Sequence, residues 1–109
     1  MMKLLLDECV THDLKADLVG HEVHTVEDAG LKGLENGELL KAIAGVYEVL
    51  ITVDRNIPYQ QSIASLPIAV LILAGRRNSY AHLKPLLPRA LAVLETIKPG
   101  EAVEIAARE

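Results

Sequence analysis

Val49-Leu50-Ile51-Thr52-Val53 runs straight into Asp54-Arg55-Asn56. An unbroken β-branched and apolar run of this length reads as a strand buried on both faces, and the acid that ends it stands where a central strand leaves its sheet. Two other segments repeat the form. Lys3 to Asp7 passes through Leu4-Leu5-Leu6 and ends in Asp7-Glu8, which predicts a first strand delivering charge at its carboxyl end. Pro67 introduces Ile68 to Leu73, an almost wholly apolar strand that empties into Gly75-Arg76-Arg77-Asn78.

Helical patterns separate these strands. Thr11 is a capping residue with Asp13 in the first turn, Leu14 and Leu18 share a face, and Gly20 supplies a left-handed stop, so a helix is predicted over 12–19. Residues 21–26 alternate apolar and polar and read as a strand near a sheet edge. After a loop through Gly30 and Gly33, Leu39, Leu40 and Ile43 mark a helical face that Gly45 closes, predicting a helix over 37–44. Pro58 starts a short helix or turn through Tyr59, Gln60 and Gln61. Leu83, Leu86, Leu87, Leu91 and Leu94 keep helical spacing, but Pro85 and Pro88 remove amide donors and should kink or divide the segment. Lys98-Pro99-Gly100 reads as a turn and 102–105 as a last short strand.

Strand alternating with helix predicts a three-layer α/β/α domain with a mostly parallel sheet of about five strands and right-handed crossovers. If strands two and three flank strand one, the order is 2-1-3-4-5. The topological switch, and with it the expected ligand crevice, then lies at the carboxyl ends of strands one and three. Those ends carry Asp7-Glu8 and Asp54-Arg55-Asn56.

The whole chain has 109 residues, enough for one core. Half of it is apolar, without Phe or Trp, an aliphatic bias that suits doubly covered strands. No apolar run reaches the roughly 18 residues of a membrane span, and Met-Met-Lys leads into a strand without a cleavable signal pattern, so no membrane contact and a cytoplasmic location are expected. The single cysteine, Cys9, excludes an intramolecular disulfide framework. A formal net charge of -4 is the opposite of what nonspecific phosphate binding favours, so a nucleic-acid role requires metal ions or a local basic patch.

Asp7 and Asp54, aimed at one crevice, repel each other unless a proton or cation intervenes. A divalent ion resolves the conflict, and hard oxygen donors suit Mg²⁺ or Mn²⁺. Glu38, in the first turn of the second helix, either faces this crevice as a third acid or simply complements the helix dipole. Glu8 should point to the other side of its strand as a supporting or solvated residue. Asn36 reads as a helix cap near the site, and Asn56 as a turn residue or a weak amide ligand. Arg55, Arg76 and Arg77 follow strand ends on the same edge, where they either bind substrate phosphates or solubilise loops. The four histidines lack the close helical pairing of a zinc site, and Cys9 lacks a base partner.

At Leu4-Leu5-Leu6-Asp7-Glu8, Gly20-His21-Glu22-Val23, Gly30 through Leu40, and Val49 through Asn56, the chain resembles the PIN-like family, in particular short proteins related to VapC-type toxin ribonucleases. The resemblance covers roughly the first 60 residues. It implies a ribonuclease fold in which Asp7, Glu38 and Asp54 bind Mg²⁺ or Mn²⁺ and a metal-activated water attacks an RNA phosphodiester. It also implies an antitoxin partner and a homodimer. Asn36 and Asn56 depart from the family pattern, which often has aspartate there, and the lost charge should weaken metal binding. Two other readings compete: a binding module of the same fold with degraded catalysis, and a phosphoacceptor domain. The latter requires a Ser or Thr ending strand four, where this chain has Leu73-Ala74-Gly75.

Overall fold

In the computed structural model, which describes residues 1–60 and 62–107, five strands form one sheet in the order β2-β1-β3-β4-β5. They are β1 (Lys3–Leu6), β2 (Glu22–Thr25), β3 (Val49–Thr52), β4 (Ala69–Ala74) and β5 (Ala102–Ala106). Every pair is parallel, with Leu5 opposite both His24 and Leu50, and Ile51 opposite Leu71. The expected strand order and the switch between β1 and β3 are both present. Gln61, part of the turn expected after Pro58, lies outside the described residues.

The period of two along the strands sorts the core into two layers. Leu4, Leu6, Val49, Ile51, Leu71 and Leu73 pack on one face with Leu14, Leu18, Leu83, Leu87 and Leu94. Leu5, Leu50, Val70 and Ile72 pack on the other with Leu39, Leu40, Ile43 and Ile57. The second face is covered by α1 (Asn36–Ile43) and α2 (Ile57–Gln60), the first by α3 (Tyr80–Leu83) and α4 (Leu87–Leu94).

The predicted first helix is instead a 3₁₀ helix, His12–Asp17. Leu14 N bonds Thr11 O, an i→i+3 contact, and Thr11 Oγ1 accepts from Asp13 N, so the cap holds a tight turn. A segment this short gains too few i→i+4 bonds to offset helix nucleation, and the tighter turn still buries Leu14. The prolines divide the later helix as expected: a 3₁₀ turn, Lys84–Leu86, joins α3 to α4, with Pro85 and Pro88 each in a first turn where a missing amide costs least. Among the described residues no helix is long and apolar enough to cross a membrane.

Candidate functional site

Asp7 follows β1 directly, and its amide extends the ladder by donating to Ile51 O at 2.9 Å. That register sets it beside Thr52, the last residue of β3, whose side chain is fully buried. A buried hydroxyl demands partners, and Thr52 has them on both sides. Its Oγ1 donates to Asp7 Oδ2 at 2.8 Å and accepts from Asp54 N at 3.1 Å. The two aspartates are thus tied through one threonine across adjacent strand ends.

Each carboxylate is otherwise well held. Asp7, only 7% exposed, takes Glu8 N on Oδ1 at 2.8 Å. Asp54 accepts Asn36 Nδ2 on Oδ2 at 3.0 Å and Asn56 N on Oδ1 at 2.9 Å. Cys9 is exposed as a residue, yet its Sγ lies 3.7 Å from Asp7 Oδ2 and 3.6 Å from Thr52 Oγ1. Lost hydration pushes this thiol above its ordinary pKa, and the Asp7 charge adds to the shift. Together with Leu34 and Val53, Asp7, Glu8, Cys9, Asn36 and Asp54 line an open cleft of about 450 Å³. No Lys, Arg or His lines it, so its field favours cations and opposes a bare phosphate.

The remaining expected site residues are placed differently. Asn36 and Glu38 are two positions apart on α1, hence about 200° apart around the axis. Asn36 is bonded to Asp54, while Glu38 is exposed and outside the cleft lining. Glu8 Oε1 accepts from Gly33 N at 3.1 Å and so pins the glycine loop to the rim. Asn56 reaches Asp54 through its backbone amide. Arg55 is forked onto Glu104 of β5, with Nε and Nη2 each 3.3 Å from a carboxylate oxygen. Arg76 lines a separate cavity beside α4, and Arg77 is exposed on the same loop.

Two aspartates fit a hard divalent ion that fills its other positions with water and substrate oxygens. Each of their oxygens accepts from at least one protein donor and retains acceptor capacity. The set does not form a closed cage: among the described residues no three His, Cys, Asp or Glu side chains are gathered so as to hold a metal. Thr52 is the residue that the sequence pattern concealed. A lone hydroxyl in an apolar strand, two positions before an acid and so on the same face, was the available signal. Comparisons of the chain with protein-family models, curated proteins and solved structures find no match in any of the three.

Proposed function

We propose that the cleft is the Mg²⁺ or Mn²⁺ site of a PIN-like endoribonuclease, in which Asp7 and Asp54 hold the ion and the substrate is an RNA phosphodiester. The observation that carries this reading is the pairing of two carboxylates through Thr52 at the carboxyl ends of β1 and β3, the switch point where open α/β sheets bind ligands. A bound divalent ion supplies a water of lowered pKa and neutralises charge on the phosphate oxygens. The chain's own contribution is to fix the donors. Thr52 and the Glu8 amide hold the Asp7 carboxylate, and the Asn36 amide and the Asn56 N–H hold that of Asp54. A cytoplasmic, toxin-type enzyme that pairs with an antitoxin protein and forms a homodimer is the fuller form of this proposal, supported by the sequence resemblance.

A second reading, a binding module of the same fold with weakened catalysis, is favoured by the neutral Asn36 standing against Asp54 and by the position of Glu38 outside the cleft. Calorimetric Mn²⁺ titration and RNA cleavage separate the two. The enzyme reading expects Mn²⁺ binding that Asp54→Asn weakens, and cleavage that Asp7→Asn abolishes. Cleavage unchanged in Asp7→Asn refutes it, and Mn²⁺ binding without cleavage by the wild type supports the binding module.

A further inference from the structure

The second notable concavity lies on the first core face, between the β4–α3 loop and α4. It measures about 430 Å³, and its polar walls are Arg76, His82 and Arg89, with Ala81, Pro85 and Pro88 among its apolar lining. No acid lines it. Neither arginine joins an ion pair with Asp or Glu among the described residues, whereas Arg55 is engaged by Glu104. In a chain of net charge -4, two guanidinium groups and an imidazole converging without a carboxylate form a local exception.

The polar walls are anchored. Arg89 Nη2 donates to Ala106 O, which steadies one arm of the guanidinium and leaves other N–H donors of the fork. His82 Nδ1 is 2.8 Å from Ser79 Oγ, which orients the ring. The loop carrying Arg76 is fixed at both ends. A side chain at Gly75 would come within 3.1 Å of His82 O, so glycine lets the loop pack tightly against α3. At its other end Asn78 Nδ2 donates to Cys9 O at 2.8 Å, and Cys9 belongs to the acidic cleft. One loop therefore links the rim of the cleft to the basic cavity.

We infer that the Arg76–His82–Arg89 cavity is a subsite for a further phosphate of the RNA strand bound at the Asp7–Asp54 cleft, the proline and alanine surface accommodating the attached ribose and base. The inference rests on the reading of the cleft as a phosphodiester site. It answers a difficulty in that reading, because an acidic cleft repels a polyanion and something beside it must hold the strand. Forked guanidinium donors match phosphate oxygens, and an apolar floor suits a sugar-base unit better than an acidic peptide, which would bring a carboxylate every residue or two.

The test is fluorescence anisotropy of 5′-fluorescein-labelled decauridylate with the full chain in EDTA, which isolates this subsite from metal. Wild type should bind at low salt, and Arg76→Ala should weaken binding about tenfold. The slope of log K against log salt should also become shallower by about 0.7, the value for one single-strand phosphate contact. Arg76→Glu should weaken binding further. Arg76 is exposed, so neither variant threatens the fold. Unchanged affinity and slope in both variants overturn the subsite. So does competition by poly-glutamate as effective as that by unlabelled decauridylate, which assigns the cavity to acidic peptide, or equal competition by uridine monophosphate, which assigns it to a free nucleotide. Arg76-dependent RNA binding together with no cleavage in Mn²⁺ refutes the nuclease reading of the cleft while the subsite stands. Cleavage in Mn²⁺ with a KM that Arg76→Ala leaves unchanged does the reverse.

Discussion

Replacing Thr52 with valine keeps the shape of a fully buried side chain and removes the one hydroxyl shared by both aspartates. Asp7 Oδ2 then retains only the distant Cys9 thiol, and the Asp54 amide loses its acceptor. A hydrogen bond to a carboxylate contributes about 1.5–3 kcal/mol, and a part-buried amide left unpaired costs about 1 kcal/mol more. Burying a methyl in place of the hydroxyl returns about 1 kcal/mol. The net loss is about 2 kcal/mol, roughly 10 °C in Tm for a domain of this size. Thr52→Ser keeps the hydroxyl and sacrifices one methyl, about 1 kcal/mol. Urea and thermal unfolding monitored by circular dichroism measure both, and a cycle with Asp7→Asn should give a coupling of about 1 kcal/mol between positions 7 and 52. A Thr52→Val protein that melts within about 2 °C of wild type, or that is less perturbed than Thr52→Ser, refutes the idea that this hydroxyl organises the cleft.

Three further outcomes follow from the charges. Asn36→Asp sets a third carboxylate against Asp54, so it should lower metal-free stability by roughly 1 kcal/mol and tighten Mn²⁺ binding; weaker Mn²⁺ binding in calorimetry contradicts the two-aspartate site. The Lys15 ammonium, 2.6 Å from Asp28, and the Thr25 amide hold the Asp28 carboxyl down at about 2 against an ordinary 3.8. Its stabilising contribution is therefore complete above about pH 4 and lost as pH falls through about 2, and Asp28→Asn should flatten urea midpoints over that window; an identical pH profile in the variant disproves the link. Because burial and Asp7 raise the Cys9 pKa, iodoacetamide should alkylate Cys9 more slowly than glutathione at pH 8, and Asp7→Asn should speed the reaction; a wild-type rate above that of glutathione contradicts the described environment.

Much of the architecture was legible because strand burial and strand composition are the same fact seen twice. Leu4-Leu5-Leu6 and Val49-Leu50-Ile51 are apolar at every position since both faces of the sheet are covered, and the acids that follow them mark where cover ends. Pro85 and Pro88 divided the last helix for a reason visible in their missing amides. The 12–19 segment was less transparent: Thr11, Asp13 and Leu14 suit the first turn of an α-helix and of a 3₁₀ helix alike, and only the length available before Gly20 separates them. At the site, periodicity delivered Asp7 and Asp54 to one cleft because their strands are neighbours. Side-chain direction on α1 decided the fate of Glu38, and no sequence count fixes that rotation when the helix begins one residue earlier than expected. Arg55 and Glu104 are a pairing across sequence that appears only once β4 and β5 are in register. His82 and Arg89 gain meaning only from the cavity that brings them beside Arg76.

The Thr52–Asp7 bond spans 45 positions, and no strand in the sheet meets its neighbour through a hairpin. A chain emerging from the ribosome cannot build the cleft from its first two strands, since the carboxylate at position 7 has no hydroxyl to lean on until β3 has been made and threaded beside β1. Long-range closure of this kind is slow relative to local turns. Whatever chemistry the cleft performs is thereby withheld from the nascent polypeptide, and unfolding that parts the two central strands disarms it at once.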